Sequence, residues 1–244
     1  MREEVRAVLE KYPYYKGRFI DVYGIGLGRC YNPGHSLPTF EDVLEVKKTA
    51  FRNLKDMSLI VGTEDGFEDL IDELVYTEGL HSPVCFRNKE AGRRHKNMYD
   101  ADEEQRIEKY MLNPECRVPL FEILYHENLL TFPYWGDSTD DSINQGKKKV
   151  LFACLFGCQP LYSFSLGNYE KLKPLILSSY KKISRISKYT VTEPITAYRV
   201  LSDDFSLQQT EFGNRYRVTA NFSKNAQSVN GKVIPPENLV FERL

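Results

Sequence analysis

The chain has 244 residues, 41% of them hydrophobic and 27% charged, with a formal net charge of −1. That length builds one large domain, or a domain with a small appendage, around a sizeable core. The charge balance leaves no broad basic footprint for nucleic acid or an anionic membrane, and no apolar run approaches the about 18 to 20 residues that a membrane span needs.

Residues 2–12 carry Val5, Val8 and Leu9 at helical spacing, and Pro13 ends that helix. The segment lacks a signal-peptide core, so a cytoplasmic location is expected. Arg18-Phe19-Ile20-Asp21-Val22 reads as a buried strand, followed by a glycine-rich loop over 24–38. Gly24, Gly26 and Gly28 are misspaced for a dinucleotide loop and are read as tight turns beside a ligand. Thr39 opens a helix, with Asp42 placed to complete a capping box. Phe40, Val43, Leu44, Val46, Ala50, Phe51 and Leu54 give that helix an apolar stripe. Ser58 to Gly62 forms the next strand, which ends at Glu64. The acidic run from Asp65 to Glu73 fits no EF-hand loop and reads as a solvated helix start.

Residues 80–116 form a long polar excursion with a helix near 102–113, and such excursions are commonly functional loops. Val118 to His126 reads as a strand, Lys148 to Phe156 as a helix, Leu161 to Phe164 as a short strand, and 168–186 as an amphipathic helix. Strand–helix alternation argues for a parallel sheet or barrel. After residue 187 the pattern changes to alternation at Tyr216, Val218, Ala220 and Phe222, behind a Gly213-Asn214 turn. The expected fold class is therefore α/β: the C-terminal half of a (β/α)8 barrel over 1–187, then a small antiparallel β domain over 188–244. About four barrel strands are present where closure takes eight. The open edges call for the other half of the barrel, or self-association, as a partner.

Two acidic residues carry the chemistry. Asp21 and Glu64 each end a strand, where α/β barrels place catalytic acids. Neighbouring strands lie about 4.8 Å apart, so such carboxylates can reach the about 5 to 5.5 Å separation of retaining glycosidases, which need no cofactor. The bland alternative makes them helix caps or ion-pair partners. Tyr125-His126-Glu127 and Trp135-Gly136-Asp137 flank a strand end and its loop. Trp135 could stack on a sugar face, with His126 and Asp137 on hydroxyls. The alternative is a buried histidine and a loop cap. Tyr23 and His35, in the loop region after Asp21, are further substrate-binding candidates, and Arg117 carries lower weight. The basic runs Lys147-Lys148-Lys149 and Arg93-Arg94-His95-Lys96 read as solvated faces or substrate-loop residues. The five cysteines, Cys30, Cys85, Cys116, Cys154 and Cys158, fit no zinc spacing, and the last two read as core.

Four stretches together resemble glycoside hydrolase families 129 and 101, family 129 more closely. They are Phe19 to Val22 with Tyr31-Asn32-Pro33-Gly34-His35; Ile60 to Gly66; Arg117 to His126 leading to Trp135-Gly136-Asp137; and Val200 to Asn214 continuing to Val218-Thr219-Ala220-Asn221-Phe222. The similarity runs over nearly the whole chain but covers only the C-terminal part of a family enzyme. It implies retaining hydrolysis of α-linked N-acetylgalactosamine, with Asp21 matching the nucleophile and Glu64 the acid/base. His126, Trp135 and Asp137 match the region lining the sugar pocket. Glu127 stands where the family often has Asp. The alternative reading is a non-catalytic sugar-binding or structural remnant of such an enzyme. A related α-galactosidase-like specificity is a third.

Overall fold

A computed structural model describes residues 2–24, 26, 28, 30–65, 67–78, 105–106, 108–117, 119–133, 146–162, 166–167 and 169–244. The chain divides into two compact units, residues 1–80 and 81–244.

The first unit runs α1 (Arg2–Lys11), β1 (Gly17–Ile20), α2 (Phe40–Lys55), β2 (Ile60–Glu64), a 3-10 helix (Glu68–Glu73) and β3 (Tyr76–Glu78). β1 pairs parallel with β2, and β2 parallel with β3. β1 lies at a sheet edge. The expected strand–helix–strand alternation is present because α2 is nucleated and packed as its sequence dictates. The Asp42 amide donates to Thr39 Oγ1 at 3.2 Å, and the Thr39 amide donates to Asp42 Oδ2 at 2.8 Å, satisfying two amides that a helix start leaves orphaned. Hydrogen bonding from Thr39, its backbone amide first and then its side chain, holds the Asp42 carboxyl below its ordinary range. Phe51 and Leu54 of α2 and Val61 of β2 have no exposed surface, and each such side chain contributes about 1.5 to 3 kcal/mol by leaving water. Phe40 and Val46, included in the expected stripe, stay exposed. The acidic run is less solvated than its charge suggested. Glu73 is buried and accepts from Arg52 Nε at 2.7 Å and Lys55 Nζ at 3.3 Å.

The second unit contains a π-helical turn (Glu108–Leu112), α3 (Leu120–Tyr125), β4 (Leu130–Phe132), α4 (Gly146–Phe156) and α5 (Tyr169–Thr190). Its sheet is formed by β5 (Ile195–Val200), β6 (Leu207–Phe212), β7 (Tyr216–Asn221) and β10 (Asn238–Arg243), in the order β10-β7-β6-β5 and antiparallel throughout. β8 (Gln227–Val229) and β9 (Lys232–Ile234) form a separate hairpin. The tail is thus antiparallel β, as its alternation implies.

Two expectations change here. Within the strand expected over Val118 to His126, Leu120–Tyr125 form the helix α3. Its run fits both periods, but the Phe121 and Tyr125 rings meet at a tilt with centres 5.1 Å apart, and Glu122 and His126 are both buried, the i, i+4 pattern of a helix. Leu161 and Tyr162 carry no strand; the rest of that expected strand, 163–164, lies outside the described residues.

The boundary expected at 187/188 falls inside the second unit. A single core spans it. Leu151 to Phe156 of α4, Ile183 and Ile186 of α5, and Phe212, Val218 and Ala220 of the sheet form one buried cluster. From Val150 to Phe156 α4 is apolar on every side and packs between α5 and the sheet, where such a helix has to be. This burial also takes in Lys149, so the basic run 147–149 is not a solvated face throughout. Lys147 pairs with Glu237 at 3.7 Å, and Lys148 pairs with Glu108. Cys154 and Cys158 are buried as expected, and burial pushes the Cys154 thiol up to about 12.

Arg117 is enclosed by this core. Its guanidinium lies 4.3 Å from the centre of the Phe222 ring. Nη1 donates to the Leu112 carbonyl at 3.0 Å, and Nη2 to Gln208 Oε1 at 2.9 Å. Burial lowers its pKa to about 10. A lysine cannot reproduce the planar stack or the forked donors. Arg117→Lys is expected to cost roughly 2 kcal/mol or more in urea denaturation; an unchanged midpoint would show that the stack and fork contribute nothing.

Candidate active site

The last registered pair between β1 and β2 is Ile20 with Thr63. Asp21 and Glu64 are the next residues along each strand. They sit at the C-terminal edge of two parallel strands, Asp21 exposed and Glu64 partly buried.

Thr63 organises the backbone under this pair. It is fully buried. Its hydroxyl donates to the Ile20 carbonyl at 2.8 Å and accepts from the Gly24 amide at 2.8 Å. One side chain on β2 therefore pins both ends of the turn that carries Asp21, Val22 and Tyr23. The Thr63 carbonyl in turn accepts from Thr77 Oγ1 of β3 at 3.0 Å. Gly24 permits the close approach, since a Cβ there would come within 2.4 Å of Thr63 Cγ2 and 2.8 Å of the Glu64 carbonyl. Val22 is held at φ 61°. That conformation costs a β-branched residue on the order of 1 to 3 kcal/mol and persists only where neighbours enforce it.

Tyr23 is half-buried and meets Phe51 edge-on at 5.5 Å. Its carbonyl accepts from Lys47 Nζ, which also lies 4.6 Å from the centre of its ring. Burial raises the Tyr23 phenol and lowers the Lys47 ammonium. His35 lies on the exposed loop, with Nδ1 2.7 Å from the Ser36 carbonyl and Nε2 3.3 Å from Cys30 Sγ. These contacts raise the His35 pKa, the Ser36 bond most. Cys30 is lowered, first by a hydrogen bond from Asn32 and then by His35.

His126, in the second unit, is buried in this structure. Nε2 bonds the Thr190 carbonyl at 2.8 Å, and the ring meets Phe212 edge-on at 5.2 Å. A Cβ at Gly157 would strike its ring at 2.1 Å. Desolvation lowers its pKa, opposed by the Thr190 bond and by Glu127 and Glu122. The folded state therefore resists protonation more than the unfolded state does. Stability from this group is complete above the unfolded value, about 6.5, and is lost as pH falls toward the folded value. Thermal melting of the chain should drop between pH 7.5 and 5.5, and His126→Gln should flatten that drop. A drop of the same size in the variant would show that His126 is not its source.

Trp135 and Asp137, like Arg93 to Lys96, lie outside the described residues. The structure thus brings Asp21 and Glu64 onto one strand edge, with Tyr23 and His35 on the chain that follows Asp21. Sequence reasoning missed Thr63 and Lys47, because a threonine in a strand and a lysine in a helix are ordinary there. The tight-turn reading does hold for Gly24. No described helix is long and apolar enough to cross a membrane.

The family model for glycosyl hydrolases related to GH101, family GH129, matches residues 95–211. Asp21 and Glu64 lie outside that segment. No curated protein matches the chain. The fold is similar to solved structures of the α-N-acetylgalactosaminidase NagBb from Bifidobacterium bifidum. The ligand-free form has a TM-score of 0.63 at 16% identity, over 91% of this chain and 32% of that one. The GalNAc complex has a TM-score of 0.60 at 14% identity, over 91% and 32%. The Gal-NHAc-DNJ complex has a TM-score of 0.63 at 14% identity, over 90% and 32%. The chain thus spans about a third of the length of the structures it matches. Residues 95–211 thus resemble the glycosyl hydrolases of family GH129 in sequence, and nine-tenths of the chain resembles an α-N-acetylgalactosaminidase in fold.

Proposed function

We propose that this chain is part of a retaining α-glycoside hydrolase acting on α-linked N-acetylgalactosamine or a closely related sugar. The observation that supports the reading is the parallel register of β1 and β2, whose last pair, Ile20 with Thr63, comes directly before Asp21 and Glu64 in the chain. The family match and the similarity in fold to an α-N-acetylgalactosaminidase support the sugar. In the reaction, the Asp21 carboxylate attacks the anomeric carbon while the bond to the glycosidic oxygen breaks. Glu64 delivers its proton to that oxygen. Glu64 then takes a proton from water, whose oxygen attacks the anomeric carbon and releases Asp21. Thr63 and Gly24 hold the turn that presents Asp21. Trp135 and Asp137 stay with the proposal as sugar-facing residues, and His35 as a hydroxyl contact beside Asp21. His126 acts through packing rather than by touching the sugar. The parallel sheet of the first unit is a segment of a (β/α)8 barrel in this reading.

The test is hydrolysis of an aryl α-N-acetylgalactosaminide against the aryl α-galactoside, by the chain and its Asp21→Asn variant. Hydrolysis of the first and its loss in the variant support the assignment, and hydrolysis unaffected by Asp21→Asn would overturn it. The second reading, a non-catalytic remnant, draws on the chain's coverage of only a third of its structural relatives. It would show as saccharide binding without turnover.

A further inference from the structure

The second unit carries a groove that the proposed chemistry does not use. It encloses about 600 Å³ between α5 and the edge strand β10. One wall is the α5 face with Ser178, Lys181, Lys182 and Arg185, and the other is β10 with Asn238 and Phe241. Residues spaced three and four apart on a helix share a face, so these four side chains form one strip, about 10 Å long at 1.5 Å per residue.

The strip is strongly one-signed. α5 contains Lys171, Lys173, Lys181, Lys182, Arg185 and Lys188 against the single acid Glu170, in a chain whose net charge is −1. Glu170 sits 3.6 Å from Lys173, away from the groove. The acids near β10 are already engaged, Glu237 with Lys147 and Glu242 with Lys232. Among the described residues, none of Lys181, Lys182 and Arg185 meets a carboxylate. Lys182 donates only to Asn238 Oδ1, at 3.3 Å. The opposite wall is apolar and aromatic. Phe241 packs against Tyr189 and Tyr216, its ring centre 5.9 Å from each, and those two rings lie 5.5 Å from one another.

We propose that this groove binds a sulfated saccharide. Three cations strung along a wall match several fixed negative charges better than one carboxylate. Sulfate esters on neighbouring sugars supply such charges at every physiological pH. The aromatic wall and the Ser178 hydroxyl suit the faces and hydroxyls of the sugar rings. The saccharide part of the assignment rests on the glycosidase reading; the anionic part rests on the groove alone.

The test is calorimetric titration of the full 244-residue chain with a sulfated dextran oligosaccharide, beside neutral dextran of the same length. Binding to the sulfated form alone is expected, weakening as salt rises. K181E/R185E should lower the affinity by about tenfold or more, since two close charges are reversed. K171E/K173E makes the same charge change on the same helix outside the groove and should leave affinity within about twofold. K181A/R185A, with less altered charge, provides the same comparison if the reversal perturbs folding. Asp21→Asn should bind unchanged, so failure of the catalytic reading and failure of this one are separable. Equal losses in the two charge-reversed pairs, equal binding of a DNA duplex, preference for a carboxylated but unsulfated oligosaccharide, or no binding would each overturn the proposal.

Discussion

Asp21→Asn is expected to lower hydrolysis of an activated aryl α-N-acetylgalactosaminide by the 244-residue chain on the order of 10⁴-fold or more, the scale on which a covalent catalyst is lost. The amide cannot form the glycosyl ester, and a small anion such as azide can then enter from the vacated face. The product would be a glycosyl azide of inverted configuration, detectable by mass spectrometry and NMR. Glu64→Gln should behave differently. An aryl leaving group needs little protonation, so its departure from the enzyme is only mildly slowed. A sugar leaving group needs the proton, and there the loss should reach about 10² to 10⁴-fold. The two residues are thus separable by leaving group and by azide, and neither signature arises from general misfolding. Full activity in Asp21→Ala, or equal losses on both leaving groups in Glu64→Gln, would remove these roles.

Gly24→Ala carries the second large effect, acting on the support of the site. The added methyl would stand 2.4 Å from Thr63 Cγ2 and 2.8 Å from the Glu64 carbonyl. The second atom belongs to the backbone, so the turn must move as a whole. A stability loss of roughly 2 to 3 kcal/mol is expected from overpacking and the displaced hydrogen bond. Because Asp21 rides on that turn, a displacement near 1 Å should also cost about 10²-fold in kcat/KM. Thr63→Val keeps the shape but removes the hydroxyl, leaving the Gly24 amide without its partner at a cost of about 1 to 3 kcal/mol. Thr63→Ser keeps the hydroxyl and should retain most of the activity. Were Gly24→Ala to melt and turn over like the unchanged chain, the pinned turn would have no part in positioning Asp21.

The resemblance to GH129 was legible in the sequence because its motifs are short and local. The matched segment contains the stretches Arg117 to His126 and Val200 to Glu211. The structure adds physical reasons for two motif positions, Arg117 inside the matched segment and Asn221 beyond it. Arg117 is clamped between three aromatic rings, those of Phe152, Phe156 and Phe222. Asn221 is fully buried, donates to the carbonyls of Asn225, Ile234 and Pro235, and accepts from Ser223. His126, by contrast, reads the same in sequence whether it faces a ligand or a core. Its contact with Thr190 joins residues far apart in the chain, and such pairings leave no local trace.

Sequence by itself determined the local elements: the capped start of α2 at Thr39, the apolar runs of β1 and β2 ending at Asp21 and Glu64, and the alternation of the antiparallel tail. Each follows from the preferences of neighbouring residues along the chain, which act over a few positions. Only the tertiary structure decided that Leu120 to Tyr125 coils into a helix, that Lys149 and Glu73 are buried, and that α4 and α5 share their core with the tail. It also decided that a single threonine hydroxyl holds the Asp21 turn. These outcomes depend on what packs against each segment from distant parts of the chain. An apolar run compatible with two periods takes the one its neighbours can bury.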